Sequence, residues 1–342
     1  MVLAMIAVIV VMQVFQQSER SKRTTTGGDS AAMDGAIGIT DLRRDLAQAG
    51  TGASNLIEIG CNLTLPTGVT LSNLGPVVIN HTAVAAGDAS TDTLLITYGN
   101  GAGSPEGDHV MSQPNSKTYN VTTPTAFSKG NYVVAATQTR ASPCVLVLDQ
   151  VSDDVTDTVP NKPVKVSTGT AIGADTLYDW GRNPRVLAYR VHGGRLQQCD
   201  YLLQNCSTNS PGVWVDLIDG VVSLRALYGR DTSSPLDGVV DAYDQTQPVS
   251  GCGWTRTESI RLALTMRNNQ LEASAVTGAG SAPIPTWSGA ASAPIDVTAD
   301  AQWNRYRYKV FESMVSLRNI TWLSAHEAAL TNPVSSCDGV FL

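Results

Sequence analysis

Residues 1–15, MVLAMIAVIVVMQVF, contain no charged side chain, and Gln13 is the polar exception. A segment apolar on every side does not behave as an amphipathic surface helix, so it constrains the fold more than any other feature. As a helix it is about 22 Å long, against roughly 30 Å of bilayer hydrocarbon. Glu19, Arg20, Lys22 and Arg23 come directly after it. A secretory signal peptide starts basic and ends at a small-residue cleavage site; this run has neither. Its positive charges come after it, the wrong side for exporting the rest of the chain. The segment therefore reads as a membrane helix whose beginning is missing.

Thr24-Thr25-Thr26-Gly27-Gly28 comes next. β-Branched residues and paired glycines both weaken a helix, so a break is expected near 24–30. Asp29 or Ser30 then caps an amphipathic helix over 31–49. Ala36, Ile39, Leu42, Leu46 and Ala49 recur at steps of three and four and form its apolar stripe. Ile39, Leu42 and Leu46 are the residues expected to pack it on a sheet. Asp41, Arg43, Arg44 and Asp45 read as a solvated face, and Gly50 ends the helix.

Beyond Gly50 the pattern changes to strands: Pro76–Ile79, Thr93–Tyr98, Tyr132–Ala136, Val145–Val151, Val186–Val191, Val213–Ile218, Val221–Tyr228, Ile260–Met266 and Tyr306–Leu317. Clusters of Gly, Asn, Asp, Ser and Pro separate them. The last alternates, with Tyr306, Tyr308 and Val310 on one face, as in an antiparallel sheet with one wet side. Gly278–Ala293 is expected to be an exposed, mobile loop. The fold class is α+β: residues 1–50 form a long hydrophobic and amphipathic helix, and 51–342 form one antiparallel, β-rich globular domain.

Lys plus Arg number 23 against 30 Asp plus Glu, a net charge of −7, which argues against nucleic acid as primary partner. Cys61, Cys144, Cys199, Cys206, Cys252 and Cys337 form no C-x-x-C pair. An even count beside a membrane-type N-terminus favours an oxidising, exported compartment. Cys199 and Cys206 are the strongest disulfide candidates, with zinc at this pair beside His192 as the competing reading; the pairing of the other four cysteines stays open. His81, His109, His192 and His326 are scattered, and no nucleophile elbow, Walker loop or dinucleotide fingerprint occurs. No catalytic residue, cofactor site or metal site is assigned, and the chain is not expected to be an enzyme. Two acidic loops, with Asp149, Asp153, Asp154 and Asp157 in one and Asp231, Asp237, Asp241 and Asp244 in the other, leave calcium as a secondary reading.

The order of these features, with Arg23 to Gly28, Asp41-Leu-Arg-Arg-Asp-Leu-Ala-Gln-Ala-Gly50, Thr91–Gly99, Gly220–Asp231 and Tyr306–Asn319, resembles the PilW-like minor pilins of the type IV pilus. The resemblance touches both ends of the chain and two interior blocks. It implies a role in pilus assembly or initiation, in a tip-located complex. Val2, Leu3, Ile6, Ile9, Val10, Val14 and Phe15 would pack in the inner membrane and afterwards in the filament core. The implied partners are other minor and major pilins and a tip adhesin, and the implied location is the inner membrane, then the pilus surface. One departure matters: the family's Phe-Thr-x-x-Glu opening is not in this sequence, so no processing site is carried over. A type II secretion pseudopilin and a membrane-anchored β-domain adhesin or binding module are the alternatives.

Overall fold

The structure is a computed structural model that describes residues 2–53, 58–137, 141–153, 163–234, 236–249, 251–278, 280 and 282–319. Helix α1 (Val2–Gln48) opens the chain without interruption. The break expected near 24–30 does not occur. Helix formation is cooperative: each weak residue costs at most about 1 kcal/mol, whereas stopping and restarting exposes backbone groups and repeats a costly nucleation. Gly50, at φ +84°, stops the helix and donates its N–H to the Thr97 carbonyl at 2.8 Å.

The strands run in chain order as β1 (Asn62–Thr64), β2 (Thr70–Leu71), β3 (Val77–Ile79), β4 (Leu94–Tyr98), β5 (Asp108–Asn115) and β6 (Thr118–Val121). Then come β7 (Tyr132–Ala136), β8 (Val145–Gln150), β9 (Pro163–Lys165), β10 (Thr176–Gly181), β11 (Arg185–His192) and β12 (Arg195–Asp200). The last group is β13 (Val215–Asp219), β14 (Val221–Arg230), β15 (Ala242–Asp244), the short helix α2 (Gly251–Thr255), β16 (Thr257–Arg267) and β17 (Tyr308–Ser316).

Among the described residues these strands form three sheets, ordered β2-β1-β8-β7-β10-β5-β6-β9, β13-β12-β11-β4-β3 and β15-β14-β16-β17. Pairing is antiparallel except between β1 and β8, where Asn62 lies opposite Val145. The Cys61–Cys144 disulfide closes the N-terminal end of that parallel pair.

The main core joins α1 to the inner faces of the sheets. Leu224, Ala226 and Tyr228 of β14 and Ile260, Leu262, Leu264 and Met266 of β16 alternate into it, as half-buried strands do. A second cluster, with Tyr119, Phe127, Val133 and Leu177, fills the far end of the first sheet. The third corrects an expectation: Trp287, Ala293, Ile295 and Val297 are buried against Leu227 and Ala263 on the outer face of the third sheet. Within the segment expected to be exposed, Gly280 and residues 282–284 are exposed as expected, while the stretch from Trp287 to Ala293 is therefore anchored as a lid of irregular backbone. Its single tryptophan buries a large apolar surface and donates its indole N–H to the Ala293 carbonyl at 2.6 Å. The small residues around Trp287 hid this role.

Candidate functional site

Helix α1 changes character along its length. From Met5 to Ser18 its side chains are exposed, with Met5 71% and Phe15 66% accessible. Ile6, Ile9, Val10 and Val14 are bare in the same way. Val2 and Leu3 belong to the helix, but their side chains lie outside the described residues. Among the described residues no helix is long and apolar enough to cross a membrane.

From Ala31 onward the helix meets the body, against β4, β13, β16 and β17. Ile39, Leu42, Leu46 and Ala49 are buried. Ala36 is exposed, and the buried line runs instead through Gly35, Gly38, Ile39, Leu42, Asp45, Leu46 and Ala49. Glycines contribute nothing to a hydrophobic pattern, yet here they set the approach. A Cβ at Gly35 would stand inside the Phe311 ring and 2.7 Å from Met266 Cγ, and one at Gly38 would stand 2.6 Å from Ile218 Cδ1.

Asp45 departs from the solvated face expected for it. It is 3% exposed and accepts hydrogen bonds from Tyr98 Oη at 3.1 Å and from Tyr189 Oη. The Tyr189 oxygen in turn accepts from the Gln198 amide. Burial, with the carboxylate of Asp45 adding to it, pushes the Tyr98 phenol up to about 12, and the same causes raise Tyr189. Both phenols stay protonated at neutral pH and donate. Asp41 instead remains at the surface, 3.6 Å from Arg44 Nη1. At the foot of the helix the Asn319 amide donates to the Gln48 and Ala49 carbonyls at 3.3 and 2.8 Å, beside Thr51, whose N–H and Oγ1 also donate to the Gln48 carbonyl at 3.1 and 2.8 Å.

The loop elements are structural in their bonding. Cys199 and Cys206 form a disulfide that staples the end of β12. Asp149 accepts from the N–H groups of Thr168 and Gly169, and Asp231 from those of Ser233, Asp237 and Gly238. Asp231 thus closes its own loop, and Asp149 ties β8 to the segment that follows β9. Asp154 and Asp157 lie outside the described residues, as do Cys337 and His326. Among the described residues no group of three or more His, Cys, Asp or Glu gathers as metal ligands.

The family described as Type IV Pilus-assembly protein W matches residues 196–319. This segment is PilW-like. It runs from within β12 through β17, includes the Trp287 lid, and ends on Asn319, the residue that closes α1. Of the residues that form the helix dock, the PilW-like segment supplies Gln198, Ile218, Met266 and Phe311; Asp45, Tyr98 and Tyr189 lie before it. No curated protein matches the chain. The crystal structure of the GspK-GspI-GspJ complex from the enterotoxigenic Escherichia coli Type 2 Secretion System is similar at 11% identity and a TM-score of 0.28, over 68% of this chain and 88% of that one. That similarity is too low to bear on fold or function.

Proposed function

We propose that this chain is a minor pilin that takes part in type IV pilus assembly, and that its role is structural rather than catalytic. The observation that carries the reading is the form of α1: one end docked on a body with a PilW-like segment, the other extending with bare apolar side chains. Such a surface is costly in water and requires an apolar partner. In this reading the partner is the inner membrane before assembly and the helices of other pilins afterwards. Both are equally dry, so transfer between them needs little exposure to water. The large β-rich body suits a tip-located initiating complex, where bulk is tolerated better than in every subunit of a shaft.

Deleting the gene and counting surface pili by electron microscopy tests the assembly role. Pili are expected to fall sharply and to return on complementation; unchanged piliation sinks the proposal. Intact pili with a loss of protein secretion would instead assign the chain to a secretion system.

A further inference from the structure

Between β4 and β5 the chain runs through Gly99-Asn-Gly-Ala-Gly103, and this loop lies against β10. Gly99 N–H donates to the Thr51 carbonyl at 2.6 Å, and Asn100 N–H donates to the Trp180 carbonyl at 2.8 Å. The approach is close enough to need glycine. A Cβ at Gly101 would overlap the Asp179 carbonyl, and one at Gly103 would stand 3.1 Å from Asp179 Cβ. The loop, β10 and the Pro124–Ala126 turn leave between them a cavity of about 230 Å³. We propose that this cavity binds an organic cation, a protonated amine or guanidinium carried on a short apolar stem.

The lining divides by chemistry. Phe127 and Leu177, both buried, and Ala126 supply an apolar wall continuous with the second core cluster. Asp179 and Asp108 supply carboxylates, and no Lys, Arg or His is among the described residues that line the cavity. The pairing of β10 with β7 shifts register between Asp179 and Gly181, an irregularity of the kind that re-aims a side chain. Asp179 is 7% exposed and accepts from the Asn131 amide at 3.0 and 3.2 Å and from Gly181 N–H at 2.9 Å. These donors are neutral. Burial raises its pKa above the usual carboxylate value, opposed by Gly181 N–H, the Asn131 amide and the N–H groups of Ala102 and Gly103. Asp108, half-buried, accepts from Thr123 N–H at 2.7 Å. The hydrogen bonds of the buried carboxylate are therefore met, while its charge faces a cavity whose walls hold no cation.

A buried charge favours a counter-charge beside it. A metal ion fits poorly, because a hard cation takes six or more oxygens and half of this wall is hydrocarbon. Drug-sized ligands occupy roughly 300–1,000 Å³, so the space suits one group the size of a side chain. A lysine or arginine side chain, or a free amine of that length, lays its stem on Phe127 and Leu177 and presents its head to Asp179. The bond to Thr51 sets the loop just past the foot of α1, at the opposite end from the bare apolar section. An occupant here does not compete with the apolar partner of the helix. The inference makes no use of the assembly role, so either can fail alone.

The test uses the full chain in a non-ionic detergent, with saturation-transfer NMR at constant ionic strength. The probes are n-butylguanidinium, n-butylammonium and the neutral 1-butanol, with calcium chloride as competitor. Both cations are expected to bind, 1-butanol roughly tenfold more weakly or worse, and calcium not to displace them. Asp179→Asn should weaken the cations by roughly tenfold or more. Ala126→Leu, which fills the cavity and leaves both carboxylates in place, should do the same, with urea melts showing the body folded. If Asp179→Asn does not fold, Ala126→Leu decides. Nα-acetyl-lysine amide binding as tightly as n-butylammonium would assign the cavity to a side chain of a partner polypeptide. Its exclusion while n-butylammonium binds would assign the cavity to a free amine, and either result upholds the cation site. Absence of binding, equal binding of 1-butanol, displacement by calcium, or undiminished affinity in the folded variants would overturn the proposal.

Discussion

Asp45 illustrates how one residue can be misplaced by charge and found by angle. Its carboxylate suggests solvent, yet at 3.6 residues per turn it lies only about 60° from Leu42, at the margin of the buried line. What the sequence lacks is any local sign of Tyr98 and Tyr189, which reach it from distant strands. Hydrogen bonds to a charged group contribute roughly 1.5–3 kcal/mol, and losing the shared acceptor strands two buried phenols. Asp45→Ala is expected to lower unfolding stability by about 3 kcal/mol, seen as a lower urea midpoint, and Asp45→Asn by about half of that. A midpoint within error of the parent would show that the contact contributes nothing. His81 belongs at this scale too. It is buried, its Nδ1 accepts from Ala83 N–H at 3.0 Å, and its Nε2 donates to the Ser72 carbonyl at 2.8 Å. Burial, opposed by the Ser72 bond, lowers its pKa below the ordinary value of 6.5. The unfolded chain therefore takes up the proton first. The stabilising effect is complete above the unfolded value of about 6.5 and is lost as pH falls through the folded value. Unfolding midpoints should drop from pH 7 to 5, with a smaller drop in His81→Gln; an NMR titration placing His81 at or above 6.5 would contradict this.

At the scale of elements, the nine strands expected from alternation and β-branched runs are all present, with ends shifted by a few residues. Those not anticipated have physical reasons. β5 carries Pro114, β10 contains Asp179 and ends on Gly181, and β12 is half polar, with Leu196 and Cys199 its buried residues. The buried Asp179 is satisfied by the Asn131 amide and Gly181 N–H, which local composition does not reveal. The continuous helix was similarly hidden, since local propensity favoured a break and cooperativity prevailed. Two glycine substitutions separate propensity from packing. Gly28 has no atom within 4 Å of its would-be Cβ, so Gly28→Ala should raise helicity and stabilise by about 1 kcal/mol. Gly35→Ala receives the same propensity gain but must displace the Phe311 ring and Met266, and should be net destabilising by about 1–3 kcal/mol. Circular dichroism with urea melts ranks them; equal effects would mean that α1 does not dock closely at Gly35.

For the whole molecule, a long N-terminal helix followed by strands was legible because the charge-free run and the strand pattern are both local signals. The three-sheet arrangement was not, since it depends on pairings between distant segments such as β4 with β11 and β1 with β8. The exposed helix predicts behaviour of the entire chain. Two charges in its apolar section, Ile9→Lys with Val10→Lys, cost roughly 2.5–3.5 kcal/mol each at the centre of a membrane helix. Under the membrane anchoring proposed above, the double variant should move from the membrane fraction to the soluble fraction with its body still folded by circular dichroism. Retention in the membrane fraction would place the anchoring elsewhere.

The docking of α1 also determines how the molecule carries load. A pull along the projecting helix does not lift it from the body one contact at a time. It stretches the Asp45–Tyr98 and Asp45–Tyr189 bonds, presses on the Gly35–Phe311 and Gly38–Ile218 contacts, and draws on the Asn319 amide at the helix foot together. These attachments are spread over about 20 Å of helix and share the force as a lap joint does, in shear. A protein built this way is strong against axial tension and weaker against a sideways peel from the Ala31 end.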